Sequence, residues 1–120
     1  MAYRKKYEDT YLDDEIDEFD GDNKTDAEKV ITLIKRPALT PKDEELVKKL
    51  TERMFVGAKL PGPPGVGAIA GLQQVAMAYA DLSAFETAAA LWERIADVAG
   101  EIGNKDLYYH AMDEMSALMA

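Results

Sequence analysis

The sequence predicts an all-α domain, and two observations carry that prediction. Apolar residues recur at spacings of three and four along most of residues 26–119, as they do on one side of an α-helix. Cap-forming residues precede several of these runs, and Gly or Pro separates them. We expect about five helices, arranged as antiparallel hairpins or a small bundle, over residues 26–35, 41–56, 67–81, 84–102 and 105–119.

Composition limits the classes of function. At 120 residues the chain is long enough for one domain with its own core, and it has no cysteine for disulfides or thiolate chemistry. A net charge of −9 argues against direct binding to nucleic acid. Residues 1–26 carry 4 basic and 10 acidic side chains, residues 27–65 carry 8 and 5, and residues 66–120 carry 2 and 8. The middle section therefore suits a polyanion, and the two ends favour basic partners.

The N-terminus indicates where the protein works. The run MAYRKKYEDTY is too polar for a signal peptide, and no apolar run approaches the length that spans a membrane. The absence of cysteine is compatible with a reducing compartment. We therefore expect a cytoplasmic protein with no membrane partner.

Residues 1–24 form an acidic arm that contains six large apolar residues. Its composition predicts a flexible segment in isolation. Two interpretations stay open: an arm that is mobile or docks partly on its own domain, and an acidic–aromatic segment that becomes ordered on a partner. The second assigns partner binding to Tyr7, Tyr11, Asp13, Asp14, Glu15, Asp17, Glu18 and Phe19.

The stretch from Glu18 to Asp26 places acidic side chains around Gly21, a pattern that Ca²⁺ favours. It does not fit an EF-hand, because Gly21 in the sixth position would put Ile16 first and Ala27 last. A turn followed by a capping box of Thr25 and Glu28 explains the same residues. We predict no metal site here.

Two amphipathic helices should follow. The first has an apolar stripe of Ala27, Val30, Ile31 and Ile34. The second begins with Thr40 as its N-cap and Pro41 in its first turn. Its buried stripe consists of Leu46, Val47, Leu50 and Met54, with Lys42, Lys48, Lys49 and Arg53 outside. These cations are either a solvated face or a dock for an acidic partner, including the arm itself.

Residues 57–67 are expected to be a connector rich in Gly and Pro. The run from Gly62 to Gly67, GPPGVG, resembles the start of the phosphate-binding loop of nucleotide hydrolases. That motif continues with Lys and Ser or Thr, where this chain has Ala68 and Ile69. We therefore predict a Pro-stiffened connector and no nucleotide or other cofactor.

Two closely spaced helices form the centre of the chain. One stripe consists of Ile69, Leu72, Ala76 and Tyr79. The next consists of Phe85, Ala88, Trp92, Ile95, Ala99 and Ile102, and is widened by Leu91 and Val98. A helix apolar on two sides is usually sandwiched between neighbours. Ser83 and Glu86 have the spacing of a capping box that would start the second helix.

Part of this pair has a family resemblance. The run Leu72, Ala76, Tyr79, Ser83, Phe85, Ala88, Trp92 and Ile95 resembles one tetratricopeptide repeat. The resemblance implies a helix–turn–helix in which small residues allow close approach and aromatics fill the groove. It covers residues 72–99, although Ser83 stands where the family usually has Gly. A partial second repeat over residues 106–119 is less regular, and a generic helical hairpin remains the alternative.

The last helix combines an apolar side with the only histidine. Its apolar residues are Leu107, Tyr108, Ala111, Met112, Met115, Leu118 and Met119. They form either core or an exposed docking and oligomerisation face. His110 should lie on the polar side, in a surface ion pair with Asp113 or Glu114. With no nucleophile nearby except Ser116, we predict no catalytic site.

These features favour a non-enzymatic protein–protein interaction adaptor or assembly subunit, with another protein or a second copy as partner. We expect the exposed helical face to include Gln73, Gln74, Met77, His110 and Glu114. The alternative is a small acidic inhibitor that occupies a basic or nucleic-acid-binding surface of another protein. Its residues would be Asp13, Asp14, Glu15, Asp17, Glu18, Asp20 and Asp22.

Overall fold

The computed structural model describes residues 25–120, and this part of the chain is entirely α-helical apart from its turns. Its five helices are α1 (Asp26–Ile34), α2 (Pro41–Ala58), α3 (Pro63–Asp81), α4 (Phe85–Ile102) and α5 (Lys105–Met119). The predicted all-α class is confirmed for this region. None of the five combines the length and apolar character required to cross a membrane. The arm of residues 1–24 lies outside the described residues, and so do the predictions made for it.

The predicted starts of α1 and α2 are confirmed. Thr25 accepts a hydrogen bond from the N–H of Glu28 at 3.2 Å, and the Glu28 carboxylate accepts one from the N–H of Thr25 at 2.9 Å. Thr40 and Asp43 form the same reciprocal pair at the start of α2. The hydrogen bond from the Thr40 backbone lowers the pKa of Asp43 from its ordinary value. Both caps satisfy N–H groups that the first helical turn leaves unpaired.

Each helix packs against its neighbours in sequence, and α1 also packs against α3. Most of the predicted stripe residues of α1–α3 are buried in the core, and the four that are only partly buried are Ile31, Val47, Ile69 and Tyr79. The patterns missed five buried hydrophobic residues, which are Leu33, Phe55, Ala58, Val75 and Ala78. Helix α4 packs against both α3 and α5, which confirms that it is sandwiched. Trp92, at 1% exposure, is the largest fully buried side chain of the described region.

Helix α3 begins at Pro63, four residues before the start expected from the sequence. Pro63 and Pro64 fit its first turn because the N–H groups they lack would have no partner there. Gly65 is buried against the preceding turn, where an added Cβ would lie 2.0 Å from the carbonyl oxygen of Leu60. Glycine at this position therefore allows the tight turn that leads into α3. Much of the connector expected over residues 57–67 is helical.

The predicted capping box of Ser83 and Glu86 is wrong. Ser83 has a φ of 64°, and the N-cap of α4 is Ala84, which makes no side-chain cap. The N–H of Ala84 donates to the carbonyl of Tyr79 at 2.9 Å, and the N–H of Ser83 donates to that of Ala80 at 2.9 Å. These two bonds are a Schellman motif that ends α3, so Ser83 occupies a left-handed position that favours glycine.

The α4–α5 turn has the same Schellman motif, with glycine at the left-handed position. Gly103 has a φ of 75°, and the N–H of Asn104 donates to the carbonyl of Ala99 at 2.8 Å. Asn104 then caps α5 by accepting from the N–H of Leu107. The same backbone motif therefore joins α3 to α4 and α4 to α5.

Two residues of the predicted α4 stripe are not in the core. Phe85 is 49% exposed and Ile102 is 41% exposed, whereas Ala88, Trp92, Ile95 and Ala99 are buried. Phe85 is the first residue of α4 and Ile102 is the last. A side chain at a helix end has packing neighbours on one side only, and a periodic pattern does not reveal this.

Ser83→Gly should stabilise the fold. Glycine adopts the left-handed conformation without the steric cost of a Cβ, so we expect the free energy of unfolding to rise by about 1 kcal/mol. Urea denaturation followed by circular dichroism would measure the change. Thr40→Ala serves as a control for a real N-cap, and should cost about 1 kcal/mol. Destabilisation of similar size by Ser83→Gly and Ser83→Ala would contradict this account of the turn.

Candidate docking surfaces

The predicted partner-binding residues of the described region fall into two separate sets. On α3, Met77 is 54% exposed, Gln74 is exposed and Gln73 is half-buried. On α5, His110 is exposed and Glu114 is half-buried. No hydrogen bond, ion pair or ring contact in residues 25–120 joins the α3 set to the α5 set. Three of the five residues therefore lie on α3 and two on α5.

His110 does not form the predicted ion pair. Within residues 25–120 it has no salt bridge to Asp106, Asp113 or Glu114. Instead its ring packs edge-on against Trp92, with the ring centroids 5.4 Å apart and the planes at 89°. Sequence spacing predicts carboxylates of the same helix as the partners of His110, but the contact that the structure shows is with the aromatic ring of Trp92 on α4. His110 therefore contacts α4 although the residue as a whole is exposed.

A groove between α4 and α5 was not predicted from the sequence. It has a volume of about 460 Å³ and is lined by Ala89 and Ala90 of α4 and by Met115 and Met119 of α5. Glu86 and Glu93 flank it on α4. Met119 is 67% exposed, so the apolar surface of the groove reaches solvent. We call this feature the methionine groove.

Two aromatic features extend the exposed apolar surface around α4 and α5. Phe85 precedes Glu86 at the same end of α4 and is half-exposed. At the α4–α5 turn, Tyr108 and Tyr109 contact each other edge-on at 5.5 Å and line a cavity of about 280 Å³. Exposed aromatics of this kind are common in protein interfaces because they bury a large area with few rotatable bonds.

A charged surface joins α2 to α4. The Arg94 guanidinium bonds both carboxylate oxygens of Glu52, at 2.6 and 3.0 Å, and lies 3.9 Å above the centroid of the Phe55 ring. Lys59 pairs with Glu101 at 3.1 Å. The hydrogen bond from Arg94 lowers the pKa of Glu52 from its ordinary value. These contacts join α2 and its C-cap residue to α4, so we assign them a structural role and not a binding role.

The stretch resembling a phosphate-binding loop is the first turn of α3. Pro63 and Pro64 have no N–H to offer a phosphate, and the N–H groups of Gly65 and Val66 both donate to the carbonyl of Gly62. The backbone donors that such a loop directs at an anion are thus used inside the helix. Residues 25–120 contain no cluster of three or more His, Asp or Glu side chains placed to hold a metal ion.

Comparisons with known proteins give no relative. No protein-family model matches the chain, and no curated protein or solved structure is significantly similar to it. A functional proposal must therefore rest on the surfaces described above.

Glu52→Gln should destabilise the protein at neutral pH and have less effect in acid. The folded-state pKa of Glu52 lies below its ordinary value of 4.5, so its stabilising contribution is present above that pH and lost as the pH falls through the folded-state pKa. Because the pair is solvent-exposed, we expect a loss of under about 1 kcal/mol. Urea titrations of both proteins across this pH range would measure it.

Glu101→Gln is the matched control, since its partner Lys59 offers one contact where Arg94 offers two. At neutral pH, Glu101→Gln should lower the free energy of unfolding by less than Glu52→Gln does. A destabilisation by Glu52→Gln that stays constant into strong acid would contradict the assigned role of the pair.

Proposed function

We propose that this protein is a non-enzymatic adaptor or assembly subunit that binds an amphipathic, basic helix of another protein in the methionine groove. The observation that carries the proposal is the groove itself, where the exposed Met119, the half-buried Met115 and two alanines lie beside two glutamates. An apolar channel with acidic edges complements a helix that has apolar residues on one side and Lys or Arg at its margins.

The residues of the groove suit a helical ligand. Ala89 and Ala90 leave space on α4 because their side chains are short, and a second helix can therefore approach closely. Met115 and Met119 lie one turn apart on α5, and their unbranched, polarisable side chains adapt to ligands of different shape. Shape adaptability would let the groove accept more than one apolar sequence.

The acidic edge sets the charge of the proposed partner. Glu86 and Glu93 are two helical turns apart, a separation of about 10 Å along the axis. A bound helix with basic residues about seven positions apart matches that spacing. Residues 66–120 carry 8 acidic and 2 basic side chains, which would also favour the approach of a basic segment.

Kinship with tetratricopeptide repeats is part of the proposal and has two supporting features. The left-handed conformation of Ser83 occurs where that family usually has Gly, and Leu72, Ala76, Ala88, Trp92 and Ile95 are all buried. The exposure of Phe85 departs from the expected pattern. Stacking of a further helical unit on this end, from a second copy or from a larger assembly, would cover that ring.

The proposal can be tested with a synthetic amphipathic peptide of leucine and lysine, labelled with a fluorophore and titrated with the full chain. Met119→Glu should weaken binding at least about tenfold in fluorescence anisotropy, because it places a charge in the apolar part of the groove. If net charge alone attracted the basic peptide, Met119→Glu would strengthen binding, since the substitution makes the protein more acidic.

Met77→Glu is the matched control, because it adds the same charge at another exposed methionine, on α3. It should leave the affinity close to that of the unmodified chain. Loss of binding with Met77→Glu but not with Met119→Glu would overturn the groove and favour the α3 face. Loss only when Asp13, Asp14, Glu15 and Asp17 are changed to amides would favour the acidic-inhibitor alternative.

A further inference from the structure

We propose that the N-terminal arm docks on its own domain, with the apolar side chains of residues 12–19 in a cavity between α1, α2 and α3. This inference concerns a surface other than the methionine groove and does not depend on the proposed function. The cavity has a volume of about 410 Å³, and apolar residues from all three helices line most of it, among them Ala27, Met54, Pro64 and Ala68.

The chain enters the described structure at this cavity. Thr25 and Asp26 form part of its lining, so the residues that precede them start at its mouth. Phe19 is six positions before Thr25, a reach of about 20 Å for extended chain. The lining begins at Thr25 itself, so a reach of this length brings Phe19 over the cavity. Ile16 and Leu12 follow at a little more distance.

Close packing of α1 on α3 holds the first residues of α1 at the edge of the cavity. At Gly71 an added Cβ would lie 3.0 Å from the Cβ of Ala27 and 3.3 Å from the sulfur of Met54. The N-terminus of α1 is therefore held against the cavity wall. One turn nearer the start of α3, Gly67 has open space where its side chain would be, since no atom outside its own stretch of helix lies within 4 Å of an added Cβ. This open stretch is the part that an arm residue can fill.

Charge complements the apolar lining. Residues 1–24 carry 9 acidic and 4 basic side chains, whereas residues 27–65 carry 8 basic and 5 acidic. Lys42, Lys49 and Arg53 recur at seven and four positions, so they follow one side of α2 toward the cavity, which Arg53 lines. Arg53 already binds a carboxylate from this end of the chain, that of Asp26, at 2.8 and 2.9 Å. Acidic residues earlier in the arm continue the same pairing of charges.

Covalent linkage favours the arm over a separate ligand. A short linker presents a tethered segment at a millimolar effective concentration, so a weak apolar contact becomes well populated. The arm supplies both chemical elements that the cavity requires, an aromatic or aliphatic side chain and flanking carboxylates. A second protein would have to displace it.

Paramagnetic relaxation in the full chain tests the inference. The protein has no cysteine, so Asp14→Cys provides a single site for a nitroxide label. Amide signals of cavity residues such as Gly57, Gly67 and Gly71 should lose most of their intensity, while those of α5 keep theirs. Changing Leu12, Ile16 and Phe19 to Ser in the labelled chain should restore the lost signals.

Gly67→Leu, which fills the cavity from α3, should also abolish the selective broadening. Gly100→Leu is the matched control, since Gly100 is another helical glycine with open space around an added Cβ but lies on α4. Broadening that survives Gly67→Leu, or no selective broadening at all, would overturn the proposal. A mixture of nitroxide-labelled chains and ¹⁵N chains without the label would show whether the effect passes between molecules. Broadening of the cavity signals in that mixture would mean that the arm of a second copy occupies the cavity, which would equally overturn the proposal.

Discussion

The two-sided burial of α4 is the constraint on which the rest of the structure depends. Trp92, Ile95 and Leu91 are buried together with the small residues around them, and no single neighbour can cover a helix that is apolar on two sides. Helix α3 and helix α5 both pack on it as a result. The short side chains of Ala88, Ala96 and Ala99, all at most 2% exposed, leave room for this close packing.

Meeting that constraint leaves α5 incompletely covered. Only Leu107 and Ala111 of α5 are buried, while Met112, Met115 and Leu118 are partly covered and Met119 is exposed. The last helix therefore has less apolar area in the core than α4 has, and its open side becomes the methionine groove. Within residues 25–120, the burial of α4 and the open side of α5 thus have one physical cause, because the helices that pack on this apolar surface leave part of it uncovered.

The features that could be predicted from the sequence are those decided by local chemistry. Thr25 and Thr40 were identified as caps because the partners of a capping box are three residues apart in the chain. Ser83 has the same spacing to Glu86, but the left-handed turn required to end α3 determines its conformation instead. The early start of α3 was missed because Pro63 and Gly65 are usually breakers, and their fit depends on the preceding turn.

The candidate site was harder to predict, because it depends on which faces two helices leave open. Met115 and Met119 were identified as apolar, but nothing local shows that Ala89 and Ala90 lie opposite them. The seven-residue spacing of Glu86 and Glu93 was the available signal for one edge of the groove. Sequence spacing pairs His110 with carboxylates of its own helix, because the contact between Trp92 and α5 is not visible in the sequence.

Native-state hydrogen exchange tests the central role of α4 most directly. If burial on two sides makes α4 the most stable element, the amides around Trp92 and Ile95 should exchange only by global unfolding, with the free energy found by urea denaturation. Amides of α5 should exchange through smaller openings, at lower free energy. Exchange in the middle of α4 that is as fast as in α5 would contradict the account.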